Sequence, residues 1–286
     1  MNRIGMVGIG LMGHGIAKNI LGRGFALSFL DHPGNQPVDD LLAAGAARVD
    51  GVEALAADCD VLLLCVTGSP QVEEVLGRVL PVLRAGTFVI DCSTAIPAST
   101  EALAAKVAAA GGRFLDAAMT RTPKEAEEGR LNLLIGGAPE DLAVVEPLLA
   151  AFSENRFHAG GPGAGHRLKL LHNFVSLGTA TLLAEAAASA AEGGIAPEVL
   201  VDCLKRGGGY GAALDRLSPF ILTGDVSSMR FSNANGLKDI GYYRRMVADL
   251  GTRDDVARGV LAAYERLIEE GNGERLVPEQ VALFRR

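Results

Sequence analysis

Cysteine is scarce, and its pattern carries no chemistry. Cys59, Cys65, Cys92 and Cys203 form neither a C-x-x-C pair nor any metal-ligand spacing, which argues against a disulfide framework or a thiolate metal site. Cys65 and Cys92 lie in or at the end of apolar runs and read as reduced core thiols, which suits a cytoplasmic protein. The histidines at 14, 32, 158 and 166 show no ligand pattern either, and no metal is implied. Basic charge is in deficit: 27 Lys and Arg stand against 34 Asp and Glu, a formal net charge of -7. That balance argues against nucleic acid or an anionic membrane as the main partner. The N-terminal apolar run is interrupted by glycines almost at once, so no signal peptide is expected. The most apolar long stretch, Phe174 to Ala191, carries Glu185 and several hydroxyl residues and has no flanking basic cluster. It reads as a buried helix rather than a membrane span. No repeat or low-complexity tract is visible.

What the chain does have is a regular alternation of strand-like and helical segments. The run Arg3 to Ile9 is strand-like, Gly8-Ile9-Gly10-Leu11-Met12-Gly13 follows, and His14 to Leu21 is helical in pattern. This is G-x-G-x-x-G between a strand and a helix, the setting in which it binds a dinucleotide. Gly8 permits the tight turn, Gly10 lets backbone approach a pyrophosphate, and Gly13 lets helix and strand pack closely. The helix start then offers its N–H groups to the phosphates. A second strand, Ala26 to Leu30, ends at Asp31, where a carboxylate reads the ribose 2′-hydroxyl and repels a 2′-phosphate. No arginine follows it closely, so NAD rather than NADP is the expected cofactor. The other reading of Asp31 is a strand-end turn residue.

The alternation continues through helical Leu41 to Ala47, a weak strand at Arg48 to Val49, a helix near Glu53 and the strand Val61 to Val66. That strand is continuously apolar, as expected when both faces are covered. A helix from Gln71 to Leu83, a strand from Phe88 to Ile90, a helix from Ala98 to Ala110, strands at Phe114 to Asp116 and Leu131 to Ile135, and a helix from Asp141 to Phe152 follow. The pattern predicts an α/β fold, an N-terminal Rossmann-type doubly wound, mainly parallel sheet. Past Ala191 only helices are expected: Pro197 to Lys205, Ala212 to Leu222, Gly236 to Leu250, Asp254 to Glu270 and Pro278 to Phe284. The expected domains are residues 1–162, binding NAD, and 163–286, helical, serving substrate and oligomerisation. Ligands of such sheets sit at the carboxyl ends of strands. Cys65, Val66 and Thr67, then Ser93 and Thr94, and Thr120 all lie at that edge.

The junction Gly160 to Asn173 joins the two halves. It begins as a glycine-rich turn and continues as a long helix from His166 to about Glu192, with Lys169 and Asn173 four residues apart on one face. His172 lies near both. A lysine and an amide at a glycine-lined helix start can form a proton-transfer site; taken alone, K-x-x-x-N reads first as a solvent-facing lysine with a chance asparagine. So apolar a helix needs cover, either from the C-terminal helices or from a second subunit, and a homodimer or homotetramer is expected.

Taken together these motifs resemble the β-hydroxyacid dehydrogenase family, which includes 3-hydroxyisobutyrate dehydrogenases. The resemblance rests on Gly8 to Gly13, D-x-S-T at Asp91 to Thr94, Asp116-Ala117, G-x-G-x-x-x-K-x-x-x-N at Gly163 to Asn173, and Lys238-Asp239. It implies that Lys169 is the catalytic lysine, that Asn173 holds the substrate, that Ser93 reaches the substrate, and that Thr94 and Lys238 line the nicotinamide side. Where the family usually reads D-A-P-V-S-G-G, this chain reads Asp116-Ala117-Ala118-Met119-Thr120-Arg121-Thr122. The Arg-Thr pair resembles the branch containing 3-sulfolactaldehyde reductase, in which the arginine binds the anionic head of the substrate. His172 stands where the family has asparagine. Thr122-Pro123-Lys124-Glu125 also reads as a helix capping box, which makes Thr122 structural. The alternative for Arg121 is a surface pair with a nearby glutamate.

The expected activity is hydride transfer between nicotinamide and a small anionic 3-hydroxy acid or aldehyde, with Lys169 as general acid and base, and Arg121, Thr120 and His172 toward the substrate. A catalytically silent NAD-binding regulatory or scaffold protein of the same fold is the alternative. The presence of Lys169 argues against imine reduction.

Overall fold

The computed structural model describes residues 3–285; positions 1, 2 and 286, at the outer ends of the two expected domains, lie outside the described residues. The chain forms two compact units that divide between Lys169 and Leu170.

The first unit is an eight-stranded sheet in the order β3-β2-β1-β4-β5-β6-β7-β8. The strands are β1 (Arg3–Val7), β2 (Ala26–Leu30), β3 (Ala47–Val49), β4 (Val61–Leu64), β5 (Phe88–Asp91), β6 (Arg113–Thr120), β7 (Leu131–Gly136) and β8 (Ser153–Gly160). All pairs are parallel except β6 with β7. Side chains alternate across a strand, and β4 shows the result. Val61 and Leu63 enter the core on one face, with Ile4, Met6, Phe29 and Ile90. Leu62 and Leu64 enter the core on the other face, with Val7 and Val89. The covering helices are α1 (Leu11–Gly22), α2 (Asp39–Ala43), α3 (Val52–Asp58), α4 (Ser69–Val79), α5 (Pro97–Ala109), α6 (Pro123–Glu127) and α7 (Pro139–Phe152).

Three local expectations are corrected. The helix predicted to reach Ala47 ends at Ala43, because Gly45 at φ +97 turns the chain and Ala47 already pairs with Ser28. The helix predicted to Leu83 ends at Val79 and tightens into a 3₁₀ turn over Leu80–Val82, since Pro81 has no N–H to continue the ladder. The strand beginning at Phe114 runs on to Thr120, and β8 is an element the pattern did not announce.

In the second unit, α8 (Ala164–Glu192) crosses the division and continues as a core helix. Its Leu177, Ala180, Leu183 and Ala184 pack with Leu214 and Leu217 of α10 (Ala212–Thr223), Ile240 of α11 (Asn233–Leu250) and Tyr264 of α12 (Asp255–Glu269). The set is completed by α9 (Pro197–Arg206) and α13 (Gln280–Leu283). At Gly236 an added Cβ would lie 2.4 Å from the Tyr264 ring, so only glycine allows α11 and α12 to approach this closely. Helix α8 is the one helix among the described residues long and apolar enough to cross a membrane by length and composition, and 44% of its most apolar window is buried within the chain.

Candidate active site

The strand order reverses between β1 and β4, and that switch point is where open α/β sheets bind ligands. The loop after β1 passes so tightly that a Cβ on Gly8, at φ +99, would meet the Cys65 carbonyl oxygen at 2.2 Å. A Cβ on Gly13 would meet the Gly8 carbonyl oxygen at 2.0 Å. A Cβ added at Gly10 would find nothing within 4 Å, and as the cap of α1 Gly10 brings no side-chain hydrogen bond to the helix start. The opening turn, from Leu11 and Met12, therefore presents backbone donors beside open space, which fits the pyrophosphate of a dinucleotide. Cys65 is brought alongside, its N–H donating to the Val7 carbonyl at 2.8 Å, and Val66 and Thr67 continue the same rim.

Asp31 ends β2 as expected, its N–H donating to Val49 at 2.8 Å. No arginine follows it closely in sequence, but the fold brings one near. Arg48 of β3 places Nη1 3.5 Å from the Asp31 carboxylate, since strand pairing supplies the proximity that sequence distance conceals. His14 is half-buried and lies between two carboxylates, Glu127 at 2.9 Å and Asp40 at 3.0 Å. Burial works against its charge, but the bonds to Glu127 and Asp40 prevail and hold the imidazolium above its ordinary range. His14 and Leu11 border a cavity of about 620 Å³ with Gln36, Asp40, Lys124 and Glu127.

At the ends of β5 and β6 the side chains are buried and mutually committed. Asp91 accepts from the Ser93 N–H at 2.9 Å, and Ser93 Oγ accepts from the Val66 N–H at 3.0 Å. Thr94 beside it is half-buried. Asp116, fully buried, accepts from the N–H groups of Gly163 and His166, both at 2.7 Å, and so caps α8 from 47 to 50 residues away. The His166 ring is fully buried as well. Its Nδ1 lies 2.8 Å from Thr100 Oγ1, Nε2 is 3.8 Å from Asp91, and Nδ1 is 3.9 Å from Asp116. Thr100 Oγ1 also lies 3.2 Å from the Ile96 carbonyl oxygen. Burial pushes the Asp91 carboxyl up, against the opposing pull of His166 and the Ser93 N–H. Burial likewise pushes the thiols of Cys65 up to about 12 and Cys59 to about 11, and Cys92 well above its usual range. Only Cys203 is exposed.

Thr120 is buried and accepts from Asn132 at 3.1 Å. Arg121 follows at φ +82, the one non-glycine residue among those described in the left-handed region. Its guanidinium meets Glu154 and the Arg130 carbonyl, so the glutamate pairing weighed from the sequence is present. Thr122 and Glu125 form the expected capping box, with the Thr122 N–H donating to Glu125 at 3.0 Å. Further on, Asn19 donates to carbonyls of Ala126 and Glu127 and pins α6 to α1.

On α8, Lys169 is half-buried, three residues beyond His166. In the second unit, Asn173 is buried and Nδ2 donates to Asp239 at 2.6 Å, while His172 Nδ1 meets Asn173 Oδ1 at 3.0 Å. The other Asp239 oxygen lies 2.8 Å from Lys238 Nζ, an ionic contact without hydrogen-bond alignment. Lys238 also lies 5.2 Å from the Tyr242 ring centre. Asp239 is thus what ties Asn173 to Lys238. In sequence Asp239 stands out only as part of the Lys238-Asp239 motif, and the hub of His166 and Asp116 at the start of α8 is likewise assembled only by the fold.

Two family models cover most of the chain. Residues 3–160 match the NAD binding domain of 6-phosphogluconate dehydrogenase, and residues 163–283 match the NAD-binding domain of NADP-dependent 3-hydroxyisobutyrate dehydrogenase. Among curated relatives, the NAD-dependent L-serine dehydrogenase of Pseudomonas aeruginosa is 29% identical over 96% of this chain and 95% of its own. The 3-sulfolactaldehyde reductase of Escherichia coli (strain K12) is 34% identical over 65% of this chain and 63% of its own. The crystal structure of 3-hydroxyisobutyrate dehydrogenase from Salmonella typhimurium superposes with a TM-score of 0.87 at 25% identity, covering 99% of this chain and 100% of its own.

Proposed function

The chain belongs to the β-hydroxyacid dehydrogenase family, and from that premise we propose that it is an NAD-dependent oxidoreductase acting on a small anionic 3-hydroxy acid or the corresponding aldehyde. The observation that carries the reading is the locked start of α8. Asp116 holds the first turn of the helix through two backbone N–H groups, so Lys169 leaves from a rigid element, as a proton-transfer group must. In reduction the Lys169 ammonium gives a proton to the developing alkoxide oxygen; in oxidation the neutral amine takes the alcohol proton. Nicotinamide, when bound, supplies or accepts the hydride. Gly8, Gly10, Leu11, Met12 and Gly13 hold the pyrophosphate. Asp31 reads the ribose, and Cys65, Val66, Thr67, Thr94 and Lys238 complete the cofactor site. Asn173 uses one amide hydrogen for Asp239, and we assign the other to the substrate oxygen. Ser93, Thr120 and His172 shape the substrate end.

Arg121 is the proposed anion binder. It occupies the place of the first glycine in the family's S-G-G segment and keeps a glycine-like backbone at φ +82. A strained residue at the rim of a sheet is a mark of function. Its pair with Glu154 is exposed and worth at most about 1 kcal/mol, so a carboxylate or sulfonate can displace it. The exposed Leu171, Val175 and Leu182 on α8 suit burial against a second copy, in a homodimer or homotetramer of the cytoplasm. The test is a screen of small hydroxy acids and aldehydes, carboxylated and sulfonated, followed by nicotinamide absorbance. Turnover is expected on anionic members and lost in Lys169→Ala while NADH binding persists. Near wild-type kcat in that variant overturns the assignment.

A further inference from the structure

The pairing of β2 with β3 sets up a second element of cofactor choice. Phe29 and Arg48 are Cα partners in this parallel pair, so their side chains leave the same face of the sheet. Asp31 lies two residues beyond Phe29 and shares that face, and the Arg48 guanidinium stands 3.5 Å from its carboxylate. The two side chains are 42% and 44% exposed respectively, at the carboxyl end of the strand where ribose selection takes place. We propose that Arg48 is a latent 2′-phosphate ligand and that Asp31 and Arg48 together form the cofactor selector. The proposal rests on the reading of Asp31 as the ribose ligand.

The physical case is one of competing partners. An exposed ion pair is worth little, so ribose hydroxyls can take the Asp31 carboxylate without much loss. A 2′-phosphate is repelled by that carboxylate but attracted by the arginine behind it, whose planar fork suits phosphate oxygens. The two charges oppose each other, and the chain's preference for NAD is therefore weaker than a lone aspartate would impose. If the carboxylate loses its charge, Arg48 loses its partner and becomes available to a phosphate. No other acidic group is found paired with Arg48 among the described contacts.

The test is equilibrium binding of NADH and NADPH to the full-length protein by nicotinamide fluorescence, which requires no substrate. Asp31→Asn is expected to tighten NADPH by about tenfold, the scale of one charge-assisted hydrogen bond, and to weaken NADH. Arg48→Gln in the wild-type background weakens NADPH more than NADH. In the double variant the NADPH gain disappears, and Arg48→Lys with Asp31→Asn retains part of it. The gain shrinks as salt is raised. Tight NADH binding by the wild type, together with a double variant that binds NADPH as well as Asp31→Asn alone, overturns the selector and leaves the NAD reading standing. A wild-type protein that binds neither nucleotide overturns both.

Discussion

The phosphate turn after β1 and the start of α8 do comparable work by opposite means. At the turn, recognition is made of backbone. Glycines bring main chain within contact distance of main chain, and Gly10 is left open on its ligand side. At the start of α8, order is made of buried side chains: Asp116, His166, Thr100 and Asp91 meet across 47 to 75 residues of sequence. The first device keeps its parts within six residues and so can be read as a motif. The second exists only once the sheet has formed. A binding surface that must admit a ligand can be written locally, whereas a rigid platform for one side chain requires long-range closure.

The largest expected effect strikes the platform's cargo. Lys169→Ala should lower kcat by about 10² to 10⁴ with cofactor affinity retained, as measured by steady-state kinetics beside NADH titration. Next comes the platform itself. Asp116→Ala orphans two buried N–H groups and leaves His166 with Asp91 as its one neighbouring carboxylate, and should cost about 3 kcal/mol in urea unfolding. A loss below about 1 kcal/mol would mean that the capping is incidental. The turn answers differently to a pair of alanines. Gly10→Ala meets no atom within 4 Å and should leave Tm unchanged while weakening NADH at least about tenfold, whereas Gly13→Ala collides with the Gly8 carbonyl and should lower both. Equal thermal losses would erase the distinction between cradle and scaffold.

Two smaller effects sharpen the contrast. Arg121→Gly relieves a left-handed arginine, worth about 1 kcal/mol, and removes an ion pair of similar size. Stability should stay nearly level while KM for anionic substrates rises. The least effect belongs to His14, which joins α1 to Asp40 and Glu127. Its folded pKa is raised, so its stabilisation is complete below the unfolded value of about 6.5 and is lost as pH rises through the folded value. His14→Gln should lose at most about 1 kcal/mol, at acid pH only, and its stability curve should meet that of the wild type on the alkaline side. A gap that persists at alkaline pH would show the contribution to be packing.

The same division explains what could be read in advance. The Rossmann order, the G-x-G-x-x-G turn, the Thr122 capping box and the helical second half each rest on residues close in sequence, and each is present. Strand β8 escaped because SENRFHAG is an edge strand, mostly exposed and polar, without the apolar signature of β4. The antiparallel turn of β7 against β6 left no mark in the apolar pattern of either strand. Arg48 escaped because it reaches Asp31 through strand pairing, seventeen positions away along the chain. The partners of His14 left no local mark because its two carboxylates come from α2 and α6.

The uneven exposure of the cysteines has a practical use. Cys59 and Cys92 are buried, Cys65 is half-buried with its thiol held protonated near neutral pH, and Cys203, on α9, is exposed. A maleimide dye or spin label added to the native protein near neutral pH should therefore attach at one position, with no cysteine engineered in or out.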